Sequence, residues 1–184
     1  MTAARQATED GAAWIARAER EGASREQALA AFDSFAPVPL EAMTGRWRGG
    51  GLPTGHALDG LLEAYGWYGK EFRDPDNVFP LLIRRGGRIV ALDPTRMPIG
   101  LVARLRPHRL GWTRHGFALG SRLATTTKPG ARLRMVERRG VPSAAMIYDR
   151  QPIVDHFREA APGLLLGLMD LRGSPPFFFT LRRE

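Results

Sequence analysis

Gly45-Arg46-Trp47-Arg48-Gly49 opens a stretch that runs through Pro53-Thr54-Gly55-His56 to Tyr65-Gly66-Trp67-Tyr68-Gly69-Lys70. Across these 26 residues large aromatic rings alternate with glycines. A glycine beside a tryptophan lets the backbone bend and approach closely while the ring is buried. That pattern belongs to a barrel end or a shaped site rather than to an ordinary surface. No strong catalytic signature accompanies it.

Outward from this stretch the pattern is β. Ala42 to Arg48 reads as a first strand, Gly49 to Gly55 as a tight loop, and His56 to Tyr65 as a short helix with Leu58, Leu61, Leu62 and Tyr65 on one face. Tyr68 to Phe72 reads as extended, and Asp74-Pro75-Asp76-Asn77 as a turn. Phe79 to Arg84 and Arg88 to Asp93, joined by Gly86-Gly87, read as a hairpin. Pro94 to Pro107 is loop-like. Six short strands follow: Phe117 to Thr127, Arg132 to Arg139, Ser143 to Tyr148, Ile153 to Glu159, Leu164 to Leu171 and Phe177 to Arg183. Leu133 and Met135 alternate with Arg132 and Arg134, so a sheet with one buried face is expected. About eight such strands most simply close into a barrel, which removes exposed edges.

Before the barrel, residues 1–39 read as a helical appendage. Trp14, Ile15 and Ala18 have helical spacing, Gly22 stops the first helix, and Ser24 with Gln27 forms a capping box for a second. Packing on the domain is the plainest role for this hairpin; a lid or a homodimer element are the others. Residues 40–184 are expected to form a single β-barrel domain, with a first part to 100 and a C-terminal part from 101. The expected class is α+β, mainly β.

The stretch Gly45 to Phe72 resembles the GXWXG family. The C-terminal domain of unknown function that accompanies this family is resembled by Ala145 to Asp149, Pro152 to Arg158, Gly167 to Asp170 and Phe177 to Arg183. Together the likeness spans roughly residues 40 to 184. It makes Tyr148, Asp155, His156 and Asp170 motif positions, without assigning them an activity. The Gly-X-Trp on the first strand is also similar to the lipocalin and wider calycin pattern. That resemblance implies an antiparallel barrel whose Trp47 plugs one end, with Arg182 or Arg183 of the last strand stacked on the ring.

Composition narrows the classes. The chain has 184 residues, 43% hydrophobic, and no cysteine, which removes disulfides, zinc-thiolate sites and thiol nucleophiles. No apolar run suggests a transmembrane helix and no secretory signal is visible, so a cytoplasmic protein is expected. The net charge of +8 is uneven: residues 101–184 carry 15 basic and 6 acidic residues. Such a bias suits anionic headgroups, so peripheral contact with an anionic membrane is one expectation. Nucleic acid is not expected, because the arginines alternate along strands and form no recognition motif. Arg104, Arg106, His108, Arg109, Trp112, Arg114 and His115 are read as a solvated loop, with anion recognition as the alternative.

His56 is the leading polar candidate, with Asp59 and Glu63 on the same face of its expected helix. The spacing is not that of a His-Glu-X-X-His site, so no metal is expected. Tyr65, Trp67, Tyr68 and Lys70 form an amphipathic cluster fit for a pocket wall, although a solvent-facing Lys70 is the plainer state. Asp155 and His156 are adjacent on a strand and point to opposite faces. Two main functions follow. The first is binding of an apolar small molecule, a lipid or fatty acyl chain, by Trp47, His56, Tyr65, Trp67, Tyr68, Lys70, Tyr148 and Asp170. The alternative is a cofactor-independent isomerase, dehydratase or cyclase with His56 as base, Asp155 or His156 as its partner and Tyr148 as donor to an oxyanion. Haem ligated by His56 or His156 is a lesser reading, since no attachment motif is present; no cofactor is expected.

Overall fold

The computed structural model describes residues 2–96 and 124–184. Helix α1 (Thr2–Glu21) is followed by α2 (Arg25–Ser34). Ser24 Oγ accepts the Gln27 backbone N–H at 3.1 Å while Gln27 Oε1 accepts the Ser24 N–H at 2.8 Å, so the expected capping box is formed. The strands are β1 (Ala36–Pro37), β2 (Gly45–Gly51), β3 (Trp67–Asp74), β4 (Asn77–Arg85), β5 (Arg88–Ala91), β6 (Ala131–Arg138), β7 (Val141–Tyr148), β8 (Ile153–Ala161), β9 (Leu164–Leu171) and β10 (Phe177–Arg183); the short helix α3 (Leu61–Ala64) lies between β2 and β3.

Eight of these strands close on themselves. The ring runs β2-β3-β4-β6-β7-β8-β9-β10, every pairing is antiparallel, and β10 returns to β2 through Phe179↔Gly51 to Arg183↔Trp47. This is the mainly β, calycin-like barrel of the sequence reading, with each strand beside its chain neighbour. Two short strands decorate the ring. β5 pairs with β4 from Leu82↔Ala91 to Arg85↔Arg88, and β1 pairs with β8 through Ala36↔Glu159 and Pro37↔Arg158. The seam between β4 and β6 is the thinnest: one residue pair, Val78↔Ala131, joins that ladder among the described residues.

Alternation sorts the side chains. Trp47, Phe72, Val78, Leu133, Met146, Phe157, Leu165, Phe179 and Leu181 point inward and form the main core. On β8, β9 and β10 the outer face is apolar as well. Ala160, Leu166, Leu168 and Phe178 are buried there against Ile15 and Ala18 of α1 and Ala28, Ala31 and Phe32 of α2. The near-continuous apolar run of β9 is the sequence signature of a strand covered on both sides. Glu19 fixes α1 to the barrel: it accepts two bonds from Arg182 (2.8 and 2.7 Å) and one from Thr180 Oγ1 (2.7 Å). Burial works against the Glu19 charge, but these bonds outweigh it and hold its pKa below the ordinary carboxylate value.

Trp47 plugs one barrel end. It is 1% exposed, and its Nε1–H donates to the Met43 carbonyl at 2.7 Å. The Arg183 guanidinium lies 4.5 Å from the ring centroid and bonds the carbonyls of Thr44 and Ala42. Of the two arginines expected over this ring, Arg183 takes the place and Arg182 turns out to Glu19. Arg183→Ala is expected to cost about 1 kcal/mol in a denaturant titration, as befits a cation–π contact at a partly solvated site.

Several boundaries move. The first strand begins at Gly45 rather than Ala42, because Leu40–Met43 forms a 3₁₀ turn that brings the Met43 carbonyl under Trp47. The helix expected over His56–Tyr65 contracts to Leu61–Ala64. Of the strand expected over Phe117–Thr127, residues 117–123 lie outside the described residues, as do most of the Pro94–Pro107 loop and the arginine- and histidine-rich cluster around Trp112; residues 124–127 form no strand and carry one isolated bridge, Thr125 to Leu92. Among the described residues no helix is long and apolar enough to cross a membrane.

Candidate functional site

Two irregularities in neighbouring strands build the site. Between Trp67↔Ile83 and Gly69↔Leu82, two steps along β3 face one along β4; between Gly69↔Leu82 and Glu71↔Phe79, two steps along β3 face three along β4. The first bulge breaks the alternation of β3, so Trp67 and Lys70, three positions apart, both point into the barrel. Its pivot is Gly69, with φ of +148° in a region that only glycine adopts readily. The second bulge contains Pro80, which has no N–H to lose from the ladder. Its carbonyl accepts a bond from Lys70 Nζ at 3.2 Å. Gly49, the last residue of the Gly-X-Trp-X-Gly run, leaves the space that Trp67 fills: a Cβ there would stand 2.1 Å from the indole.

The outcome is an ion pair inside an apolar chamber. Lys70 Nζ lies 2.8 Å from Asp155 Oδ2, and the two side chains are 4% and 1% exposed. Asp155 Oδ1 is buried and has no hydrogen-bond partner among the described residues. Aromatic faces surround the ammonium, with centroids of Phe179, Trp67 and Tyr148 at 4.9, 5.6 and 5.9 Å. Burial pushes the Asp155 pKa up, and the Lys70 charge and bond offset only part of that. Tyr148 is also held well above its ordinary value, first by burial and then by the Asp155 charge. A cavity of about 100 Å³ adjoins the pair; Leu58, Leu61, Tyr65, Trp67, Pro80, Leu81, Ile83, Pro94, Met169, Phe177 and Phe179 line it together with Lys70, Asp155 and Tyr148.

Of the residues singled out in the sequence, the cavity brings together Tyr65, Trp67, Lys70, Tyr148 and Asp155. Lys70 is buried rather than solvent-facing, because the Gly69 bulge turns it inward. Tyr68, by the same bulge, faces outward: it packs with Phe79 and Leu82, lies beneath Arg84 and bonds Glu184 through its hydroxyl. Trp47 belongs to the plugged end and does not line the cavity. Asp170 sits on the outer face of β9, where it pairs with Arg138 at 2.6 Å.

The two described histidines, His56 and His156, stand apart from the ion pair. His56 accepts the Leu58 N–H on Nδ1 at 3.1 Å, approaches Ser174 Oγ with Nε2 at 3.4 Å and rests on the Phe177 ring. It is thus a clamp on its own turn, not a cavity group. The expected His56, Asp59 and Glu63 face does not form, since residues 57–60 are a turn rather than helix. Asp59 accepts the N–H groups of Thr54 and His56, and Glu63 accepts that of Gly51. Among the described residues no three histidine or acidic groups converge as a metal site.

His156 lies on the outer face of β8, opposite Asp155 as the alternation requires. Its pKa falls to about 4, first through burial and then through the Arg138 charge. The unfolded chain therefore binds a proton between pH 6.5 and 4 that the native state refuses, so this residue removes stability as the pH falls through that window. His156→Gln is expected to flatten stability against pH between 6.5 and 4; an unchanged slope in urea titrations across that range would contradict the assignment.

The GXWXG protein model matches residues 30–87, and that of a domain of unknown function (DUF4334) matches residues 129–183. A solved structure, described as a protein from Thermomonospora curvata, is 36% identical over 95% of this chain and 99% of its own, with a TM-score of 0.69. The chain belongs to the GXWXG family. Its signature now has a physical reading: the tryptophan plugs the barrel, and the closing glycine seats a second tryptophan beside the buried lysine. No curated protein matches the chain.

The pairing of Lys70 with Asp155 was the feature that strand patterns did not reveal. The available signal was compositional. Of 27 basic residues only Lys70 and Lys128 are lysines, so a lysine among aromatics is an exception to this chain's own usage.

Proposed function

We propose that the barrel binds a largely apolar small molecule, lipid-like or acyl in character, whose one polar group meets Lys70, Asp155 and Tyr148. The observation that carries this reading is the Asp155 Oδ1, buried beside a cavity and without a hydrogen-bond partner among the described residues. A buried acceptor left unmatched costs about 1–3 kcal/mol or more for a charged group, and a ligand donor recovers that cost. The cavity walls supply apolar contact, and the polar groups supply orientation. At about 100 Å³ the space suits a compact body, or the head end of a longer chain, rather than a whole long acyl chain.

Native mass spectrometry of gently purified protein, followed by organic extraction, tests this directly. A bound apolar compound is expected, and its release should change Trp67 emission, a response that Trp67→Phe removes. A chain that carries nothing and whose emission responds to no fatty acid, terpenoid or small aromatic in titration would sink the reading.

The acid/base reading also has an observation in its favour, though with a different cast. Lys70 takes the place of His56 as the proton-handling base, and of the two expected partners Asp155 rather than His156 stands beside it. An ion pair in apolar surroundings exchanges a proton at little cost in charge separation, which is what proton transfer on an apolar substrate needs.

A further inference from the structure

We propose that Lys70 forms a reversible imine with an apolar aldehyde or ketone in the barrel cavity, Asp155 handling the proton. This deepens the binding reading above and rests on it. Four features point the same way. Lys70 is the single buried amine in the described structure, and it lines the cavity. Every other basic side chain except Lys128 is an arginine, and a guanidinium neither deprotonates nor condenses with a carbonyl. A chain that uses arginine nearly everywhere, the buried Arg158 under the helices included, has a primary amine where the barrel cavity lies. The partner carboxylate lies 2.8 Å from Nζ, within reach for direct proton transfer. Finally, the ring centroids of Trp67, Tyr148 and Phe179 stand 5.6, 5.9 and 4.9 Å from Nζ, an apolar setting that suits an imine.

The step balances without a further reagent. The Lys70 ammonium passes a proton to Asp155, exposing the nitrogen lone pair. The lone pair attacks the carbonyl carbon, and the carbonyl π electrons move to oxygen, which takes the proton back from Asp155. A second proton from nitrogen travels the same way, the C–O bond breaks and water leaves. The product is a protonated imine with the same single positive charge as the original ammonium. It faces the same carboxylate, so the buried pair stays electrically matched throughout. Burial already biases Asp155 toward its protonated form, which suits a group that must hold a proton in transit.

Reductive trapping provides the test. The full-length chain is incubated with benzaldehyde or hexanal and sodium cyanoborohydride, and the modified peptides are mapped over time. Lys128, which is exposed, serves as the internal reference, and the terminal amine is mapped alongside it. Alkylation of Lys70 is expected at least tenfold faster than at Lys128. Alkylation of Lys128 and the terminus with Lys70 untouched, or at equal rates, overturns the proposal. A parallel titration with benzyl alcohol, which cannot condense, reads Trp67 emission and separates the two claims. Binding of the alcohol without Lys70 alkylation rejects the imine and leaves the binding reading standing. Failure of both rejects both. Because the comparison is made within the wild-type chain, it does not depend on whether a Lys70 variant folds.

Discussion

Lys70→Met is expected to lower stability at pH 7 by about 3–5 kcal/mol, because it leaves the Asp155 carboxylate buried and unpaired. For a domain of this size that corresponds to a fall in Tm of roughly 6–20 °C. The loss should depend on pH in a defined direction. Asp155 already titrates above its ordinary value through burial, and removing the Lys70 charge moves it further the same way. A native state that holds a carboxyl proton more tightly than the unfolded chain is most stable below the unfolded pKa. It loses that advantage as the pH rises through the folded one. The variant should therefore approach the wild type as the pH is lowered toward 4 and diverge from it toward 8. Lys70→Met combined with Asp155→Leu should recover much of the loss, since an apolar pair of similar volume removes the unpaired charge. Thermal melts of the three proteins from pH 4 to 8 decide the matter. A single variant with wild-type stability and no pH dependence would show that the pair is not truly desolvated.

Gly69→Ala should be about as damaging, for a different reason. The added methyl would stand 1.9 Å from the Trp47 carbonyl oxygen and 2.8 Å from the Gly49 nitrogen, both backbone atoms on β2 that cannot swing aside. The φ of +148° is itself costly for any residue with a Cβ. Conformational strain of about 1–3 kcal/mol and overpacking of about 1–3 kcal/mol together place the expected cost near 3–5 kcal/mol. Guanidinium titration measures it. A cost below about 1 kcal/mol would mean that the β3 bulge relaxes easily and does not fix the position of Lys70.

Much of the architecture was readable because it rests on local rules. Alternation forecast the strands over Arg132–Arg139 and Phe177–Arg183, though of the pair expected on the buried face Leu133 is inside and Met135 is 47% exposed, and the Ser24 and Gln27 spacing forecast the α2 cap. Arg183 over Trp47 came from a resemblance and is seen in the structure. The site was less legible, because its geometry depends on departures from those rules. Strict alternation from Trp67 would put Lys70 on the outside, and only pairing with β4 reveals the bulge that turns it in. Asp155 and Lys70 are neighbours only after the barrel closes, so no sequence window contains both. His56 drew attention as an isolated imidazole near glycines, yet its ring nitrogen is used by the Leu58 amide two residues away. The apolar outer face of β8 to β10 was hidden for a similar reason, since it is explained by two helices from the far end of the chain.

The meagre stitching of β4 to β6 has a consequence for how such a protein can diversify. Beyond Val78 the edge of β4 is taken by β5, and there Pro80, Leu81, Pro94 and Tyr148 border the chamber. Among the described residues, that side of the cavity is thus bordered by side chains rather than by ladder bonds. Under the proposed binding function, exchanges at Pro80, Leu81 or Pro94 should alter which compound is accepted while leaving the Lys70 and Asp155 pair in place.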